Sequence, residues 1–143
     1  MSLILTLPII SVLIAQISKF FIRSNKLKLN WKSFIAYSGM PSGHSALVVS
    51  LATIIGLKLG LASPLFAVSF IIAFLTIRDA LGIRSYLGQH GKILNLLVKD
   101  LKNDKVLDEE YPHLIERIGH TPPQVLAGSI IGFLVSLIGY FVV

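Results

Sequence analysis

Four stretches of this chain, residues 3–22, 42–61, 63–77 and 122–143, carry two lysines, Lys19 and Lys58, and no other Lys, Arg, Asp or Glu. A peptide group in hydrocarbon finds no water to bond, so apolar runs of this kind must close their hydrogen bonds internally, as helices. At 1.5 Å per residue, roughly twenty residues cross the ~30 Å apolar layer of a bilayer. Composition agrees: of 143 residues, 54% are hydrophobic and 14% charged, with a mean hydropathy of +0.78, far from a soluble domain. The expected fold is a single all-α membrane domain over residues 1–143 with four transmembrane helices. The first run lacks a basic leader and a small-residue cleavage site, so it reads as a retained span. Without cysteine, disulfides and thiolate metal sites are excluded.

The polar segments sort by pattern. Residues 23–38 place Trp31 and Lys32 after Lys26, Leu27, Lys28 and Leu29, a loop expected to lie on the headgroup layer. Ala62-Ser63-Pro64 is a tight turn, which makes the second and third spans antiparallel neighbours. Over 85–103, Leu87, Leu94, Leu97, Val98 and Leu101 fall opposite Gln89, Lys92, Lys99 and Lys102, the pattern of an interfacial amphipathic helix. Residues 104–110 read as an acidic, mobile connector. Gly56–Gly60 and Gly128–Gly132 have the spacing that lets helices approach closely, either to seal the bundle or to form a homodimer.

Four spans put the end of the first, the start of the second, the end of the third and the start of the fourth on one side. Lys19, His44, Arg78, Asp79, Arg84, His120 and Gln124 then share one leaflet. All of the 13 Lys and Arg residues except Lys58 fall there, and the positive-inside rule makes that side cytoplasmic. The expectation is a multi-pass protein of the cell membrane with both termini outside. Topology accounts for the +6 net charge, so no nucleic-acid partner is expected.

On that leaflet two histidines stand where polar loops turn into apolar helices. His44 lies in Gly39-Met40-Pro41-Ser42-Gly43-His44-Ser45, and His120 in Gly119-His120-Thr121-Pro122-Pro123-Gln124. First-turn N–H groups of a helix attract anions, and imidazole serves as nucleophile or proton donor near neutral pH. Phosphoryl transfer requires an in-line nucleophile, positive charge around three oxygens and an acid for the leaving group. His120 and His44 can divide the first and last tasks. Lys19, Arg78 and Arg84, with the N–H groups near Ser42 and Gly43, can supply the second. No two histidines have helical ligand spacing, so no metal or other cofactor is expected.

Pro41-Ser42-Gly43-His44 resembles the central motif of the type 2 phosphatidic acid phosphatase superfamily, which also contains the vanadium-dependent haloperoxidases. The surrounding chain is similar to its divergent branch of small membrane proteins. That similarity includes Ala15-Gln16 with Lys19, residues 39–46, Asp79-Ala80 with Gly82 and Arg84, Leu94-Asn95, and Gly119-His120-Thr121-Pro122 with Val125 and Gly128. The resemblance implies metal-independent hydrolysis in which His120 attacks phosphorus, His44 protonates the leaving oxygen, and Lys19 and arginines hold the remaining oxygens. The sequence departs from the family pattern in three places. No Arg-Pro follows Lys19 at the family spacing, no Ser-Arg precedes His120, and Gln124 stands where an aspartate would orient the nucleophile.

Several of these residues have a plainer use. Gln124 reads foremost as part of a capping box, with Thr121 as cap and Pro122 at the first helical position. Asp79 either replaces the missing aspartate or pairs with Arg78 or Arg84. Lys19 can snorkel from a span end, Arg78 can mark topology, and His90 and His113 read as surface residues. The expected function is hydrolysis of a lipid phosphate ester at the membrane surface. The alternative is a lipid-phosphate binding or transport module of the same fold without catalysis.

Overall fold

A computed structural model describes residues 3–22, 39–103, 113–116 and 118–142. The expected headgroup loop at 23–38 and the acidic connector at 104–110 lie outside the described residues. Among the described residues there are five helices: α1 Leu3–Phe21, α2 Gly43–Leu59, α3 Pro64–Leu81, α4 Ile83–Asn103 and α5 Pro122–Val142. No strand occurs among the described residues. Three helical stretches, Leu3–Phe21, Pro64–Leu101 and Pro122–Val142, are long and apolar enough to cross a membrane, and Gly43–Leu59 is a shorter apolar helix. This is an all-helical membrane protein.

Two boundaries differ from the sequence expectation. The third apolar run was expected to stop at residue 77, but α3 continues to Leu81. Arg78 and Asp79 end hydrophobicity without breaking a helix, and the helix stops only at Gly82, whose N–H bonds the Arg78 carbonyl at 2.9 Å. The next helix starts at Ile83 rather than 85, so Arg84 belongs to its first turn instead of a loop. At the other end of α3, the Ser63 hydroxyl accepts the Leu65 N–H at 3.3 Å with Pro64 at the first position, the expected turn chemistry.

The bundle is built with small residues inside and large ones outside. α2 is central, packing against α1, α3 and α5. Both α1 and α5 bury a single stripe at helical spacing: Leu7, Ser11, Ala15 and Lys19 on α1, and Val125, Gly128, Gly132 and Ser136 on α5. Their large side chains, such as Ile9, Leu13, Leu126 and Ile130, are exposed. In lipid the hydrophobic effect does not drive helices together, so close backbone approach and hydroxyl bonds take over. A Cβ on Gly128 would overlap the Ser42 carbonyl, and one on Gly132 the Ala46 carbonyl. This glycine pair therefore seals α5 onto α2 within the chain. Gly56 faces the Phe66 ring and Gly60 is the C-cap of α2 with φ +83°, so the other pair is not a helix crossing.

Serines stitch the same seams. The Ser11 hydroxyl reaches the Ala46 carbonyl at 3.0 Å. Ser136 donates to the Ser50 carbonyl at 2.9 Å, so the 2.6 Å contact between the two hydroxyls has Ser50 as donor. These serine hydroxyls find their partners inside the bundle, as hydrocarbon surroundings demand.

Candidate functional site

The start of α2 and the start of α5 converge. Ser42 is the N-cap of α2, its hydroxyl oxygen accepting from Ser45 N at 3.3 Å and from Ser45 Oγ at 3.0 Å. Its own N–H donates to the Gln124 carbonyl at 2.9 Å. Ser42 is fully buried, and its N–H is committed to α5, so it does not offer the amide to an anion that the sequence suggested. The first-turn N–H groups of Gly43 and His44 have no carbonyl to take them within the helix and remain the donors of this end.

His44 follows Ser42 and His120 precedes α5, and this junction brings their rings to 6.1 Å between centroids, tilted by 54°. His120 is held from both sides. Its N–H bonds the Ala80 carbonyl near the end of α3 at 3.0 Å, and its Nδ1 faces Gln124 Oε1 at 3.4 Å. The same Oε1 accepts the Thr121 N–H at 3.0 Å, the reaching-back half of a capping box. Only an oxygen accepts that N–H, so the Nδ1 facing it must carry the proton, and Nε2 is left as the basic nitrogen. Gln124 thus caps α5 and orients the imidazole with one atom.

Charge surrounds the pair. Lys19, the last residue of the buried α1 stripe, is only 2% exposed. Arg84 Nε donates to Asp79 Oδ2 at 2.6 Å across the α3–α4 junction, with both side chains part-exposed. Asp79 therefore supports Arg84 rather than an imidazole, one of the two uses open to it from sequence. Burial holds His120 well below the ordinary histidine value, at about 4. The Gln124 contact opposes that shift, while Lys19, His44 and Arg84 add to it. The ring is neutral at physiological pH, the state a nitrogen nucleophile needs. Arg78 is exposed and lines a concavity on α3 with Phe74, Ile77 and Leu81. Among the described residues no three His, Asp or Glu side chains are grouped as a metal site.

Two further residues belong to this architecture. Gln16 lies one turn before Lys19, and its amide packs against Gly43, where a Cβ would sit 3.8 Å from Cδ and Nε2. Its Oε1 is buried without a hydrogen-bond partner, an arrangement that in a native site calls for a ligand or solvent contact. Asn95 of α4 clamps the segment leading to His120. Its Oδ1 accepts Leu114 N at 2.9 Å, and its Nδ2 donates to Leu114 O and Glu116 Oε1, each at 2.9 Å. Gly88 and Gly91 give this segment a bare helix face, since Cβ atoms there would meet the Glu116 carbonyl at 2.5 Å and the Ile115 carbonyl at 3.0 Å. Gly119, at φ +96°, ends the run against the Arg84–Ser85 backbone. The sequence placed Gln16 and Asn95 within the family resemblance but gave neither a role, because apolar periodicity passes over neutral polar side chains, and it passes over the glycines Gly88 and Gly91 in the same way. His90 and His113 are exposed.

A family model described as the divergent PAP2 family matches residues 2–135. The chain belongs to this family. Over 158 aligned residues it is 35% identical to a protein of Bacillus subtilis (strain 168) named uncharacterized membrane protein YuiD, an alignment that covers 99% of each chain. No solved structure matches it. Membership of the divergent PAP2 family suggests a phosphatase-like relationship for the chain.

Proposed function

We propose that this divergent PAP2 protein hydrolyses a phosphate monoester of a membrane lipid through a phosphohistidine. The single observation that carries the reading is the 6.1 Å approach of His44 and His120. His120 Nε2 attacks phosphorus, the ester P–O bond breaks, and protonated His44 gives its proton to the departing alkoxide, which leaves as an alcohol. Water then enters, returning a proton to His44 while its oxygen bonds phosphorus and the N–P bond breaks to release inorganic phosphate. Lys19 and Arg84 neutralise phosphate oxygens, and the Gly43 and His44 N–H groups complete the cradle at the start of α2.

In this reading α1, α2, α3 and α5 all cross the bilayer and α4 lies along its surface. The charge bias around the site supports a cytoplasmic site in the cell membrane, with both termini outside. A site at headgroup level meets amphiphiles by lateral diffusion, which favours a lipid substrate. The test is phosphate release by the purified protein from phosphatidate and prenyl phosphates in nanodiscs. Release that persists with chelator, falls with vanadate and disappears in His120→Ala is expected. Full turnover in that variant rules out the nucleophile.

One observation favours a second reading. Gln124 is a neutral amide and cannot stabilise an imidazolium as a carboxylate does, which suits a protein that binds lipid phosphate without turning it over. A measurable wild-type rate rules that reading out.

A further inference from the structure

Below the imidazole pair, α2 and α3 leave a trough of about 560 Å³ between them. It is floored by the buried Ala52 and Ala73 and edged by the exposed Phe70 and Phe74. Thr53 brings its one hydroxyl, and that hydroxyl donates to Val49 O of its own helix at 2.7 Å. With its hydrogen spent within the helix, that hydroxyl keeps only acceptor capacity and the rest of the lining is apolar, too few polar partners to hold water, so hydrocarbon is the matching content.

The position of the trough says which hydrocarbon. On α2 it begins at Val49, five residues and about 7.5 Å of helix rise from His44. On α3 it ends at Ile77, two residues before Asp79, whose carboxylate holds Arg84. A smaller concavity continues the same α3 stripe through Phe74 and Ile77 to the exposed Arg78. The slot is therefore apolar along its length, cationic at its upper end, and lined by α2, by α3 and by Phe133 of α5, so it lies against both helices whose starts bring the two histidines together. That is the complement of an anionic amphiphile.

We infer that this trough takes the hydrocarbon chain of the phosphate lipid whose head group sits between His44 and His120, with Arg78 meeting that head group on entry. The inference rests on the phosphatase reading for the position of the phosphate. A chain gains little by leaving lipid for an equally apolar wall, so the slot acts by aiming the phosphate at the two rings rather than by tightening binding. From Phe66 to Ile77 the wall rises about 16 Å, so a long chain fills it and a short one leaves its lower half empty.

The test is photolabelling of the full chain in phosphatidylcholine nanodiscs with a phosphatidate carrying a diazirine in one acyl chain. Label is expected on Phe70, Phe74 and their trough neighbours at least tenfold above the outward-facing Val68 and Ile72. Unlabelled phosphatidate should compete it away and diacylglycerol should not. Val49→Phe and, independently, Thr53→Phe should each remove it, while Leu134→Phe on the outer face of α5 should leave it. Label spread evenly over exposed positions would mean surrounding lipid only and would overturn the inference. So would an unlabelled trough in a chain that runs as a dimer. Labelling reads occupancy without turnover: intact labelling with no phosphate release removes the phosphatase reading alone, and even labelling with release intact removes the trough alone.

Discussion

Gly128 of α5 rests on the carbonyl of Ser42, the residue that caps the helix carrying His44. One turn earlier in α5, the Gln124 carbonyl takes the Ser42 N–H. The starts of the two helices are thus joined main chain to main chain, and the 6.1 Å spacing of the imidazoles is a consequence of that joint.

Adding a methyl group at that joint separates the helices. Gly128→Ala and Gly132→Ala are each expected to cost about 1–3 kcal/mol by overpacking and to lower phosphate release at least tenfold. Gly56→Ala meets the movable Phe66 ring at 3.1 Å and the end of the Leu61 side chain at 3.2 Å and should change little. Thermal unfolding in detergent beside the release assay checks all three; a Gly128→Ala protein as stable and active as wild type would contradict the joint.

The depressed titration of His120 fixes a pH dependence. With the folded value at about 4 and an unfolded value near 6.5, the folded state resists protonation, so its stability is fully present above pH 6.5 and is lost as pH falls from there toward 4. At 1.36 kcal/mol per unit the loss from this group is up to about 3 kcal/mol. Activity that needs a neutral nucleophile should hold down to about pH 5 and collapse near 4. Melting temperature and rate across pH 4–8 test both halves.

Gln124→Glu keeps an acceptor for the Thr121 N–H and adds a negative charge beside Nδ1. The His120 titration should move up by about one unit or more, and turnover should rise because the imidazolium formed in the reaction is stabilised. Nitrogen-15 imidazole NMR and initial rates supply the measurements; an unmoved titration would show that Oε1 does not contact the ring.

Asn95→Ala removes the clamp on Leu114 and Glu116 without touching substrate. kcat is expected to drop by about tenfold with KM within twofold, as a nucleophile held less tightly is less often in line. Asn95→Asp retains the acceptor for Leu114 N–H but loses both donations and faces Glu116, so it should not rescue. Limited proteolysis within 113–119 should rise in both variants.

Much of this was legible in the chain because the chemistry of lipid is unforgiving. Apolar runs around residues 3–22, 42–61 and 122–143 gave helices within a residue or two of their actual ends, and the turn at Ser63-Pro64 was explicit. The meeting of His44 with His120 followed from placing helix ends on one leaflet. Hydrophobicity could not show that α3 runs past Arg78, because a charge ends an apolar run without ending a helix. Nor could it show that the Ser42 amide is spent on Gln124, since which backbone group meets which is decided by helix packing. The glycine face of α4 escaped a reading that scored side chains, although Gly88, Gly91 and Asn95 stand at helical spacing along it.

The contacts that set the site are made by peptide groups: Gly128 on Ser42, Gly132 on Ala46, Gly88 on Glu116, Gly119 on Ser85. Outward side chains on α1, α3 and α5 have no part in them. Such a protein can exchange most of its lipid-facing residues for other apolar ones over evolutionary time and still hold its two rings in register, whereas a single methyl group at one of four positions would shift them.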